Sequence, residues 1–150
     1  ILASPDGTTW ASRTSGTSNS LNGVFYCSSS CQLTKFVAVG DNGTILTTSD
    51  GITWTSRPSG TTNSLNGVTY GNNTFVAVGN DGNILRSTDD GITWDNVTSP
   101  TANDLNGITY GNYTFVIVGD GGNIVRSTDN GSTWDNITSG TSNNLNAVTF

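Results

Sequence analysis

Apolar residues in this chain fall into short runs of four to six, separated by stretches of Gly, Asn, Asp, Ser and Thr. The best-defined copy reads Leu65-Asn-Gly-Val-Thr-Tyr70, Phe75-Val-Ala-Val-Gly79, Ile84-Leu-Arg-Ser87 and Trp94-Asp-Asn-Val-Thr98. Val, Ile, Thr and aromatic residues favour strands, and the Asn-Gly and Asp-Gly pairs between the runs are hairpin turn chemistry. Four strands per copy are therefore predicted, and no helix. The second strand is apolar on both faces in three copies: Phe36-Val-Ala-Val39, Phe75-Val-Ala-Val78 and Phe115-Val-Ile-Val118. A strand of that kind belongs between two layers, not at a wet edge.

The pattern repeats. Trp10, Trp54, Trp94 and Trp134 are 44, 40 and 40 residues apart, so the chain is a tandem array of a unit of about 40 residues. A four-stranded unit that cannot cover both of its faces alone predicts an all-β fold, a β-propeller of four-stranded antiparallel blades. Residues 1–20 read as the last two strands of a blade, 21–64, 65–104 and 105–144 as complete blades, and 145–150 as a first strand. That makes fifteen strands, about 3.75 blades. The expectation is a fragment of a longer polypeptide or one part of an oligomeric ring; a compact four-blade closure ranks third.

The turn before each Trp carries a family resemblance. Ser87-Thr-Asp-Asp-Gly-Ile-Thr-Trp94 and Ser127-Thr-Asp-Asn-Gly-Ser-Thr-Trp134 resemble the Asp-box (BNR-type) repeat, Ser-x-Asp-x-Gly-x-Thr-Trp, of sialidase-type propellers. Ser4-Pro-Asp-Gly-Thr-Thr-Trp10 and Thr48-Ser-Asp-Gly-Ile-Thr-Trp54 are one residue shorter. The array is similar also to photosystem II assembly-factor propellers. In such a turn the carboxylate accepts backbone N–H groups, Gly takes a positive φ and the indole covers the hairpin. A structural role is thus expected for Asp6, Gly7 and Trp10; Asp50, Gly51 and Trp54; Ser87, Asp89, Gly91 and Trp94; and Ser127, Asp129, Gly131 and Trp134. Setting the first box residue opposite its Trp pairs Ala3 with Ala11, Thr47 with Thr55, Arg86 with Asp95 and Arg126 with Asp135, the arginines acting as struts within their hairpins. The acidic turns Asp89-Asp-Gly91 and Asp41-Asn-Gly43 lack the twelfth-position acid of a calcium-binding EF-hand loop. No metal or cofactor site is expected.

Composition narrows the setting. The 150 residues are 33% hydrophobic with 19 glycines, suited to many short strands, and no stretch is long and apolar enough for a membrane-spanning helix. A formal charge of -6 without a basic cluster opposes nucleic acid. Cys27 and Cys31 lie in a loop five residues longer than its counterpart at residues 71–74. With no His anywhere they read as a local disulfide rather than a zinc site. An oxidising, extracellular or cell-surface location follows, the periplasm included. Six Asn-x-Ser/Thr sequons, at Asn42, Asn72, Asn96, Asn112, Asn130 and Asn136, are glycan acceptors in principle.

Catalysis is not expected. There is no His and, since all eleven acidic residues are Asp, no Glu; the usual general bases and the Glu-activated Tyr of the sialidases that the boxes resemble are therefore missing. Asp41, Asp81, Asp104 and Asp120 are the carboxylates a glycosidase would draw on, but three of them fall in one repeated turn. The leading reading is a non-enzymatic scaffold that meets a protein partner or completes its ring by self-association. A carbohydrate-binding module comes second and a non-catalytic part of a glycoside hydrolase third. Tyr26, Tyr70 and Tyr110, in the first strands, are expected in the core and not on a sugar-stacking surface. Reduction of the freshly isolated chain should raise its intact mass by one hydrogen per cysteine; an unchanged mass would mean free thiols.

Overall fold

The structure is a computed structural model that describes residues 1–27, 31 and 36–150. Strands β1 (Leu2–Ala3) and β2 (Ala11–Ser12) form a two-stranded first sheet. The second sheet holds β3 (Leu21–Tyr26), β4 (Phe36–Gly40), β5 (Thr44–Thr48) and β6 (Thr55–Arg57). The third holds β7 (Leu65–Gly71), β8 (Thr74–Gly79), β9 (Ile84–Ser87) and β10 (Asp95–Val97), and the fourth β11 (Leu105–Gly111), β12 (Thr114–Gly119), β13 (Ile124–Ser127) and β14 (Asp135–Ile137). All pairings are antiparallel between chain neighbours. Each hairpin around a Trp turn has the register read from the sequence: Ala3 with Ala11, Thr47 with Thr55, Arg86 with Asp95 and Arg126 with Asp135.

The sheets stack face to face because their second strands are apolar on both sides. Val37, Val39 and Ile45 of the second sheet meet Phe75, Ala77, Leu85 and Trp94 of the third. The opposite face of the third sheet, Val76, Val78 and Ile84, meets Phe115, Ile117, Val125 and Trp134 of the fourth. Phe75, Val76, Ala77 and Val78 are all fully buried, so every side chain of β8 contributes to one seam or the other. Burying a Val or Phe of this kind stabilises by roughly 1.5–3 kcal/mol.

A polar tie crosses each seam. The first strand of each complete sheet is bulged at its second residue, with register shifts between Leu21 and Gly23, Leu65 and Gly67, and Leu105 and Gly107. The bulge turns an asparagine towards the neighbouring sheet. Nδ2 of Asn22, Asn66 and Asn106 donates to the carbonyls of Leu65, Leu105 and Leu145, at 3.1, 2.9 and 3.1 Å. The same amide donates within its own sheet to Oδ1 of Asp41, Asn80 and Asp120, at 3.0, 2.9 and 2.8 Å.

Several expectations need correcting. Residues 145–150, expected as a first strand, carry no strand assignment and form no ladder among the described residues. They nonetheless lie where a first strand belongs. Leu145 N–H donates to Gly119 O at 3.0 Å, and the Phe150 ring covers Gly111 as Tyr110 covers Gly71. The turns between second and third strands contain one-turn 3-10 segments, Asp41–Gly43, Asn80–Gly82 and Asp120–Gly122, each with a left-handed central residue. Trp10 is 59% and Tyr26 54% exposed. Trp54, Trp94 and Trp134 pack on Phe36, Phe75 and Phe115 at centroid distances of 6.3, 6.3 and 6.2 Å, whereas the two-stranded first sheet gives Trp10 no such phenylalanine. Tyr70 and Tyr110 are half-buried against Phe75 and Phe115, and Tyr70 also meets Phe25 of the preceding sheet. Tyr26 rests on Phe36 but has no preceding first strand to lean on.

Asn66→Ala should lower unfolding free energy by about 1–3 kcal/mol, because it removes two bonds and leaves the Leu105 carbonyl without its donor. Asn106→Ala should cost less, since the segment it holds is largely exposed. Urea titration of both variants checks the order; equal losses would discount the seam.

Candidate functional site

Three surfaces carry the polar chemistry: the Trp turns, the linker rim at the opposite ends of the strands, and the outer face of the fourth sheet. In the turns, the Asp carboxylate organises the backbone. Oδ1 of Asp6 accepts the Thr8 and Thr9 amides, both at 2.8 Å, and Oδ1 of Asp50 those of Ile52 and Thr53 at 2.8 and 2.9 Å. In the longer turns Asp89 accepts the Thr93 amide and hydroxyl at 2.9 and 2.6 Å, and Asp129 the Thr133 amide and hydroxyl at the same distances. Ser87 and Ser127 hydroxyls each accept an amide, from Gly91 and Gly131, at 2.9 Å.

The extra residue of the longer turns is Asp90 or Asn130. It takes a left-handed φ of 60° or 65°, followed by Gly91 and Gly131 at 79° and 77°. That detour places a glycine carbonyl under the indole. Nε1 of Trp94 and Trp134 donates to Gly91 O and Gly131 O at 3.0 and 3.2 Å, while Trp54 Nε1, in a shorter turn, is buried without a partner.

The fourth sheet's turn also reaches back to the third sheet. Arg86 Nε donates to Asn130 O at 2.8 Å, and Asn130 Nδ2 to Thr74 Oγ1 at 2.6 Å. The register read for Arg86 is therefore right, but its role is not: the guanidinium ties two sheets together instead of bracing its own hairpin. Asn130 is engaged at this seam. Among the other sequon asparagines, Nδ2 of Asn136 and Asn42 donates to Pro100 O and Asn19 Oδ1.

The four carboxylates considered for acid–base work are built into turns. Asp41 and Asp120 accept from Asn22 and Asn106, Asp104 Oδ1 accepts the Asp81 amide at 2.9 Å, and Asp81 supplies a left-handed backbone position. Asp41 is held below the usual carboxylate range, chiefly by the Asn22 amide. Amides of Thr53 and Ile52 hold Asp50 at about 2, the Thr133 hydroxyl and amide hold Asp129 at about 2, and the Thr9 and Thr8 amides lower Asp6 further. Burial works to raise Asp89, but the Thr93 hydroxyl and amide outweigh it and the net shift is downward.

On the linker rim, each complete sheet carries one open polar hollow. The first, about 720 Å³, is lined by Asn19, Asn42, Thr44, Arg57 and Thr61 among others; its counterparts beside Asn83 and Asn123 are about 470 and 460 Å³. Arg57 Nε donates to Thr47 Oγ1 at 2.9 Å. A separate hollow of about 680 Å³ between the first and second sheets is lined by Leu2, Val24, Phe36, Ala38 and Trp54, the aromatic surface missing from the rim. Cys27 and Cys31 are disulfide-bonded with Cα atoms 5.9 Å apart. Cys27 stands where the next two sheets have Gly71 and Gly111, and it is buried in the seam cluster against which Tyr70 packs. The rest of that loop, Lys35 included, lies outside the described residues.

Four-stranded antiparallel sheets, stacked so that each covers its neighbour and joined by short linkers, are the blades of a β-propeller. Solved structures share the fold. YCF48 from Cyanidioschyzon merolae superposes with a TM-score of 0.69 at 23% identity, over 83% of this chain and 42% of that one. A structure of YCF48 bound to D1 peptide gives 0.66 at 24%, over 80% and 41%. The chain spans about two fifths of the length of these neighbours. No protein-family model and no curated protein sequence matches it.

The asparagine clamp and the cross-seam arginine were missed in the sequence. The available signal was Leu-Asn-Gly at the same place in three copies, Leu21, Leu65 and Leu105, with Leu145-Asn-Ala in a fourth. A carboxylate whose pKa is lower folded than unfolded contributes stability that is complete above the unfolded value, 3.8, and is lost as pH falls through the folded one, about 2 for Asp129. Asp129→Asn should therefore destabilise near neutral pH but flatten the loss of stability between pH 3.8 and about 2. Urea midpoints across that range check it; parallel pH curves would show that the turn does not set the acid response.

Proposed function

We propose that residues 1–150 are part of a non-enzymatic propeller that serves as a protein-interaction scaffold, with blades spanning 21–64, 65–104 and 105–144 flanked by the partial units 1–20 and 145–150. The Asp-box-like turns, from Asp6 to Trp134, are structural in this reading. The stack continues in a further blade, supplied by the same polypeptide or by a partner.

One observation carries the proposal: Asp41, Asp104 and Asp120, three of the four carboxylates that catalysis would draw on, are occupied in turn and seam hydrogen bonds, while the linker rim repeats a shallow hollow of hydroxyls, amides and backbone groups. Such hollows suit the backbone and polar side chains of an extended polypeptide. The neighbour bound to D1 peptide supports a peptide partner for this kind of propeller. The disulfide supports an oxidising location outside the cytoplasm, extracellular, surface or periplasmic.

The test is selection of a random peptide library on the immobilised chain, with a glycan array and chromogenic glycosides run in parallel. Peptides that bind at micromolar affinity and weaken at least about tenfold with Arg57→Ala are expected. Reproducible binding to one sugar class with no peptide selected would favour the carbohydrate reading, and glycoside turnover would remove the non-enzymatic one.

A further inference from the structure

Six Asn-x-Ser/Thr sequons are left unused by the scaffold reading, and the fold sorts them. In three of the six the amide nitrogen, the atom a glycan would occupy, is already engaged. Nδ2 of Asn130 donates to Thr74 Oγ1 at 2.6 Å and its Oδ1 is buried, so a sugar there would stand in the seam between the third and fourth sheets. Nδ2 of Asn42 and Asn136 donates to Asn19 Oδ1 and Pro100 O at 3.3 and 3.2 Å. Asn96 is held in the ladder of β10, paired with Leu85, on the wall of a linker-rim hollow.

Asn72 and Asn112 stand apart. Asn72-Asn73 and Asn112-Tyr113 are the two-residue tips of the β7–β8 and β11–β12 hairpins, closed by the pairs Gly71 with Thr74 and Gly111 with Thr114. All four tip residues are left-handed, with φ from 46° to 58°, the geometry of two-residue hairpin turns in which asparagine is favoured. Both sequon asparagines are exposed, and neither side-chain amide bonds to another group among the described residues. Each sequon threonine folds back on its asparagine: the Thr74 and Thr114 hydroxyls donate to the carbonyls of Asn72 and Asn112 at 3.4 and 3.2 Å. A surface turn with a free amide and a threonine two residues on is what an N-glycan acceptor requires. The tips lie at the Trp-turn end, because β7 and β9 run towards it, β8 and β10 run away from it, and the linkers sit opposite.

From this we infer that Asn72 and Asn112 carry N-linked glycans. Nδ2 attacks the anomeric carbon of a polyprenyl-diphosphate-linked oligosaccharide: the C–N bond forms, the anomeric C–O bond breaks, polyprenyl diphosphate leaves with the bonding pair, and the amide proton passes to a base of the transferase. Thr74 is fully buried once the fourth sheet has docked, so transfer to Asn72 precedes that step. The inference rests on the location outside the cytoplasm proposed above. It adds a polarity to the scaffold, with sugars at the Trp-turn end and a bare linker rim for the partner.

The full chain is secreted from a glycosylating eukaryotic host, and occupied sequons are mapped by peptide N-glycosidase in heavy-oxygen water, which marks each as a labelled Asp. Glycans at Asn72 and Asn112 are expected, lost one at a time in Asn72→Gly and Asn112→Gly; glycine keeps the left-handed turn, so both variants should stay folded. Secreted, disulfide-bonded chain with both tips bare, or with Asn130 occupied as fully as the tips, would overturn the assignment and leave the location reading standing. Free thiols in chain isolated from its source would instead remove the location reading, and this inference with it. Peptides selected on the linker rim should bind the glycosylated and the deglycosylated chain within about twofold of each other. A larger gain on removing the sugars would put them over the rim and overturn the polarity.

Discussion

The fold depends on strands that have no outside. In β8 alternate residues, Phe75 and Ala77 on one side and Val76 and Val78 on the other, are removed from water by different neighbours. A single four-stranded unit would leave one of those faces wet, which is why the unit recurs and why it stacks instead of closing on itself. The turns and linkers can then be polar and glycine-rich, since the seams supply the burial. Trp10 and Tyr26, which lie in or beside the two-stranded first sheet, are correspondingly exposed.

Much of this was legible in the sequence. Periodic tryptophans, two-sided second strands and hairpin dipeptides are properties of single runs of residues, and from them strand order and the register of the Trp hairpins could be read. The partners of Arg86 and Asn66 were not legible, because both reach across a seam to a backbone carbonyl. A carbonyl has no letter in the sequence. Asn66 looks like turn chemistry until the bulge between Leu65 and Gly67 aims it at Leu105, and Arg86 looks like the partner of Asp95 until Asn130 places its carbonyl nearby. The exposure of Tyr26 was misjudged for a related reason: burial of a first-strand ring is decided by the preceding unit.

The candidate surfaces divide by what holds them. Asp50 and Asp129 are fixed by turn amides and stay ionised well below neutral pH. The linker rim is a set of similar shallow hollows, one of them distinguished by Arg57. Repetition supplies area and position, and departures from it such as Arg57 on the rim, Cys27 in place of glycine and the two lengths of Trp turn are where one unit differs from another.

The bulged asparagine grips main chain and ignores side chains, so a unit stays held even after its sequence has drifted. Copies made by gene duplication would inherit a joint that works on arrival, before any surface had time to adapt. An array built this way can lengthen by whole modules and specialise afterwards.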